Sequence, residues 1–125
     1  MTGSDLHDGF LPAPVAQPVG APPPIVWSAQ PADEAAHKLE LLASWTDWLI
    51  DRYRLDQRTI PPCWPQHGEL IEELAALHLA WQAAYARLAQ GDAPLVWHEH
   101  FALARGRLAE AVARSGCRAG EHRLN

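Results

Sequence analysis

Four side chains carry the clearest ligand chemistry in this sequence: Cys63, His67, Cys117 and His122. Thiolate sulfur and imidazole nitrogen are the usual ligands of zinc, and structural zinc sites hold four of them in a tetrahedron. Cys63 and His67 stand as C-x3-H within Pro61-Pro62-Cys63-Trp64-Pro65-Gln66-His67-Gly68-Glu69-Leu70. Cys117 and His122 lie near the end of the chain. These are single residues rather than paired C-x-x-C motifs, so the spacing also admits a plainer reading. In that reading the cysteines are small buried hydrophobes and the histidines are exposed or hydrogen-bonded. No cofactor is expected from any other motif; zinc is the one ligand the spacing admits.

Other chemistry is harder to find. Trp97-His98-Glu99-His100 has ligand-type residues, but on a helix His98 and His100 point about 200° apart and cannot grip one ion together. The tetrapeptide also lacks the i, i+4 histidine pair of H-E-x-x-H. His78 falls at the edge of an apolar stripe and is read as an interhelical hydrogen-bonding residue. There is no G-x-S-x-G elbow and no glycine-rich phosphate loop. A histidine beside Cys63 could activate its thiolate, but nothing supplies an oxyanion hole. An enzyme is not expected.

The elements that must position these residues are helical. Helix 1 is expected over about 33–55, helix 2 over about 65–90 and helix 3 over about 93–115. Helix 2 carries Leu70, Leu74, Leu77, Trp81, Tyr85 and Leu88 at helical spacing, with Pro65 in its first turn and Gly91 at its end. Asp92 is a plausible cap for helix 3, which turns Trp97, Phe101, Ala104, Leu108, Ala111 and Val112 inward and stops at Gly116. The short link between helices 2 and 3 makes them a hairpin, so the end of helix 3 returns towards Cys63. That favours Cys117 and His122 as partners of Cys63 and His67 over His100, which lies near the far end. The fold class is all-α: a small antiparallel three-helix bundle over residues 32–116. A disordered, proline-rich tail over 1–31 precedes it, and a short polar tail over 117–125 follows.

Pro12, Pro14, Pro18, Pro22, Pro23, Pro24 and Pro31 account for most of the eleven prolines, and no helix runs through such a segment. Its end, Ile25-Val26-Trp27, either folds back on the domain or forms a docking motif. Helix 1 has only a narrow polar stripe: Glu40, Ser44, Asp47, Asp51 and Arg54. Its apolar surface is wider than one neighbour can cover. Leu41, Trp45, Trp48 and Leu55, with Trp27 of the tail, are therefore the expected partner-binding residues, for a protein partner or a second copy. The bland version is a central helix covered by its own chain.

A formal net charge of -5 on 125 residues gives no general reason to expect nucleic acid or anionic membrane as partner. The basic residues Arg105, Arg107, Arg114, Arg118 and Arg123 do gather towards the end. Two cysteines in an ordinary composition fit a reducing, cytoplasmic setting. Met1-Thr2-Gly3-Ser4-Asp5 opens no signal peptide, and no stretch is long and apolar enough to span a membrane.

The run Cys63-Trp64-Pro65 with His67, then Leu74-Ala75-Ala76-Leu77 and Ala80-Trp81, then Trp97 and His100, then Cys117 resembles an uncharacterised family. It occurs in actinobacterial chromosomes, plasmids and phages, with a Trp-Cys-Pro motif before a helix bearing Leu-x-Ala-Leu-x-x-Ala-Trp. The likeness covers residues 39–117. This chain departs from it by placing Trp64 after the cysteine and by lacking Asp-Pro after the histidine of helix 3. The resemblance implies a cytoplasmic accessory protein, with a mobile genetic element as one home for it. It also implies that Cys63, His67, His100 and Cys117 matter, which conflicts with the hairpin geometry over His100 and His122. Three functions follow as expectations: a non-enzymatic helical interaction module, a small DNA-associated regulator using the arginines of helix 3, and a zinc-stapled version of either.

Overall fold

The computed structural model describes residues 19–117. Among them are three α-helices and no strand: α1 (Ala32–Tyr53), α2 (Gly68–Ala84) and α3 (Ala93–Ser115). Short 3-10 turns, Trp27–Ala29 and Trp64–Gln66, precede α1 and α2. The all-α, three-helix expectation holds. α3 begins after Asp92 and ends before Gly116 as expected, with Pro94 in the first turn and Gly116 at φ 81°, but the Asp92 side chain makes no cap hydrogen bond.

α2 and α3 form the antiparallel hairpin. Arg114 meets Glu69 at 2.9 Å, Arg107 meets Glu73 at 2.8 Å, and the indole N–H of Trp97 donates to the Leu77 carbonyl at 3.1 Å. Moving forward along α2 therefore means moving back along α3. α1 is different. Trp45 stacks on His78 with ring centroids 4.6 Å apart, and Trp48 lies 5.3 Å from Trp81. Positions advance together, so α1 and α2 run in the same sense. The end of α1 then reaches the start of α3, where Tyr53 meets Phe101 at 4.9 Å. The parallel pairing requires a connector that travels back along the bundle, and residues 54–67 supply it.

That connector is part of the core. α1 ends with Arg54 in the left-handed region at φ 54° and ψ 50°. The Leu55 amide then donates to the Ile50 carbonyl at 3.0 Å, the long bond of a Schellman stop. Helix 1 therefore ends just before Leu55, not through it. The Asp56 carboxylate accepts from the Arg58 and Thr59 amides at 3.1 and 3.2 Å, closing an Asx turn. Leu55, Ile60, Pro61 and Trp64 are all buried. Leu55, Ile60 and Trp64 join Leu42, Leu49, Leu70, Leu74, Leu77, Trp97, Phe101 and Leu108 in one continuous core.

Two boundaries move further. Helix 2 does not start at Pro65. Pro65 sits inside the 3-10 turn, and α2 starts at Gly68, with His67 extended before it at φ -124°. Nor does helix 2 reach 90: it stops at Ala84, and Leu88 stands in the following turn, 71% exposed. No glycine or proline marks that stop. Residues 22–31 of the expected 1–31 tail lie on the domain. Residues 1–18 lie outside the described residues, but Trp27 packs against the core and Lys38 Nζ donates to Gln30 Oε1 at 2.6 Å. Pro22–Ile25 line a groove with Lys38, Leu41, Glu72, Ala75 and His78. At the other end Cys117 is 6% exposed and belongs to the domain rather than to a tail.

Candidate metal centre

Cys63 is fixed by its neighbours. The Trp64 amide donates to the Pro61 carbonyl at 3.0 Å, and the Gln66 amide to the Cys63 carbonyl at 2.9 Å. Pro61 and Trp64, both buried, anchor this tight turn on either side of the cysteine. His67 follows as the last residue before α2. Its amide donates to the Trp64 carbonyl at 3.1 Å, and its own carbonyl accepts from Leu70 and Ile71 at 3.0 and 3.1 Å. So Cys63 and His67 are not one turn apart on a continuous helix. A 3-10 turn and an extended residue aim both side chains the same way.

Cys117 arrives from the other end of the chain. α3 closes with Gly116 in the left-handed conformation, which costs little without a Cβ. The Ser115 hydroxyl donates to the Val112 carbonyl at 2.6 Å and accepts from the Cys117 amide at 3.1 Å. This cap folds Cys117 back over the hairpin and onto Cys63 and His67.

The three ligand atoms converge. Cys63 Sγ lies 3.5 Å from Cys117 Sγ and 3.6 Å from His67 Nε2, and Cys117 Sγ lies 3.4 Å from the same nitrogen. Neither cysteine is in a disulfide. A zinc ion about 2.3 Å from sulfur and about 2.0 Å from nitrogen, in a tetrahedron, separates two sulfurs by about 3.8 Å and sulfur from nitrogen by about 3.5 Å. The observed triangle is within a few tenths of an ångström of one tetrahedral face. These are the one group of Cys, His, Asp and Glu ligand atoms among the described residues arranged to hold an ion.

The electrostatics agree with the geometry. Burial raises the Cys63 thiol above its ordinary value, and the adjacent Cys117 thiol raises it further. Two thiolates in contact repel each other unless a cation lies between them. A coordinated metal reverses that preference and deprotonates both.

Of the four expected ligands, the structure brings Cys63, His67 and Cys117 together, while His122 lies outside the described residues. His100, the alternative ligand, is not brought to the corner. It is exposed on α3, about 25 Å along the helix axis before Cys117. His98 instead shares a 2.9 Å hydrogen bond with the Tyr53 hydroxyl. His78 is held neutral: burial pushes it down to about 4 from 6.5, beneath the stacked ring of Trp45.

The partner-binding set on helix 1 needs correcting. Trp45 and Leu55 are buried, and Trp27 and Trp48 are packed against the core. Only Leu41 stands exposed, at 56%. The wide apolar surface is covered by α2, by α3 and by the segment leading into α1. Parallel pairing with α2 brings Trp81 against both Trp45 and Trp48. The arginines of helix 3 are also engaged. Arg107 grips Glu73 through two hydrogen bonds, Arg114 pairs with Glu69, and Arg105 lies 5.5 Å over the Phe101 ring.

Ser115 and the buried Ile60 are residues beside the site that the sequence did not single out, and Pro61, named there as part of the loop, is a buried anchor. Their signal is weak, since Ser115 acts only through a cap and Pro61 reads first as a loop residue. No helix of the described residues is long and apolar enough to cross a membrane. No protein-family model, curated protein or solved structure matches this chain.

Proposed function

We propose that this chain is a zinc-stapled, non-enzymatic helical accessory module. Cys63 Sγ, His67 Nε2 and Cys117 Sγ supply three ligands; the fourth that the sequence offers, His122, lies outside the described residues. The observation that carries the reading is the triangle of 3.4, 3.5 and 3.6 Å joining ligand atoms from two distant parts of the chain. Structural zinc takes four protein ligands and contributes folding free energy directly. Here it would tie the end of α3 to the turn before α2, locking the hairpin at the end away from its own link.

An all-α module of this size serves most simply as a binding partner for another protein. Leu41 is what helix 1 still offers to such a partner, and Leu95 and Leu103 on α3 are also exposed. The DNA-associated reading is the weaker one, because the three arginines it needs are occupied by Glu73, Glu69 and Phe101. Binding to DNA that does not weaken with salt would remove it altogether. The test of the zinc reading is metal analysis of the full chain, with helicity followed during chelation. About one zinc per chain, and loss of helicity as it is withdrawn, is the expected result.

A further inference from the structure

We infer that Cys63 and Cys117 are also a thiol-modification site, which a hydroperoxide oxidises to an intramolecular disulfide with release of the metal. The proposal deepens the zinc reading and rests on it for the release step. The two sulfurs are 3.5 Å apart, and a disulfide needs about 2.05 Å, so they must close by only about 1.5 Å. Neither cysteine is inside an α-helix: Cys63 precedes a 3-10 turn and Cys117 follows the cap of α3. Side-chain rotation and a small shift of the end of the chain can supply the approach. They are the only cysteines present, so any other disulfide must join two molecules.

Exposure assigns the order of events. Cys63 is partly exposed, while Cys117 is 6% exposed. The oxidant therefore meets Cys63 first. The Cys63 sulfur attacks one peroxide oxygen, the O–O bond breaks, and hydroxide leaves; Cys63 is now a sulfenic acid. The Cys117 sulfur attacks the Cys63 sulfur, the S–O bond breaks, and a second hydroxide leaves. Two thiolates have lost two electrons and one hydrogen peroxide has gained them, giving a disulfide and two hydroxides that solvent protonates. Zinc loses both thiolate ligands and departs. The α3 terminus stays tied to the connector, now by a covalent bond, so the hairpin keeps its closure while the metal is lost.

The experiment uses the full chain, loaded with zinc, and hydrogen peroxide as the probe. Zinc is followed with a chromogenic chelator, and the thiols by intact mass and peptide mapping. The expected result is one disulfide per zinc released, a mass lower than the reduced metal-free chain by two hydrogens, no disulfide between molecules, and zinc binding restored by dithiothreitol. A short pulse with dimedone present should tag Cys63 and not Cys117. Retained zinc with both thiols reduced, sulfinic acids without a disulfide, or disulfides between molecules would overturn the proposal. Tagging of Cys117 first would overturn the order. The same treatment of metal-free protein separates the two readings. A disulfide there, in a chain that never takes zinc, would sink the zinc reading and leave the thiol pair standing. A chain that binds zinc yet forms no disulfide would sink the thiol pair alone.

Discussion

Two regions of this molecule hold the same kinds of residue and do different things with them. At the corner, Cys63, His67 and Cys117 come from positions up to 54 residues apart and bring their ligand atoms within 4.8 Å of one another. On α3, His98 and His100 are separated by one residue and diverge. His98 turns to Tyr53, and His100 turns to solvent. Closeness in sequence on a helix spreads side chains around the axis, two residues giving about 200°. Closeness in space is created by the hairpin, by a 3-10 turn and by a cap. Ligand-type residues near each other in a helical sequence are thus a poorer guide to a site than residues that the topology returns to one end.

Breaking the corner should have the largest effect. C63S, C117S or H67A should abolish stoichiometric zinc binding. If zinc is held at a hundredfold over its dissociation constant, the lost linkage is about 3 kcal/mol, read as a lower denaturant midpoint. H98A and H100A should leave metal content unchanged, which sharpens the contrast with H67A.

His78 gives the next effect, through protonation. Its folded pKa is lowered to about 4 from 6.5 by burial, so the unfolded chain binds the proton more readily. The stability of a group depressed in this way is present above pH 6.5 and is lost as pH falls towards 4. Between pH 7 and pH 5 the loss attributable to His78 is about 2 kcal/mol. The acid-induced loss of unfolding free energy, from urea titrations at both pH values, should be larger in the wild type than in H78L by that amount, since acid effects at the Cys63, His67 and Cys117 corner are common to both. Equal acid sensitivity in the two proteins would contradict a neutral, partly buried His78 against Trp45.

Smaller changes follow at the surface. Y53F removes the exposed hydrogen bond to His98 but keeps the ring against Trp97 and Phe101. It should cost no more than about 1 kcal/mol and leave zinc untouched. Arg54→Gly should stabilise by about 0.5 kcal/mol, because a glycine accepts the left-handed conformation at the end of α1 without a Cβ clash. Thermal melts of both variants check these signs.

Much of the fold was legible because its signals were local. Asp92, Pro94 and Gly116 mark α3 at both ends, and the inward positions from Trp97 to Val112 are buried at the expected spacing. Cys117 facing Cys63 followed from the short α2–α3 link. What could not be read was non-local. Leu41, Trp45, Trp48 and Leu55 form a wide apolar surface on paper, and the sequence cannot say that a returning connector lets α2 lie parallel to α1 and cover it. The stop at Ala84 has no glycine or proline signal, and Tyr85 and Leu88 prolong the helical spacing past it. The left-handed Arg54 ends α1 where a glycine would have announced the turn. At the corner, residue types and spacing pointed to three side chains that the fold brings together, but not to the 3-10 turn that orients them.

The most direct test is native mass spectrometry of the untagged full chain as purified, beside circular dichroism with and without chelator. One zinc per chain, removed by the chelator together with helical signal, is the predicted result. A metal-free chain with the same helicity in both conditions, and no uptake of added zinc, would contradict the metal centre and return Cys63, His67 and Cys117 to packing and hydrogen bonding alone.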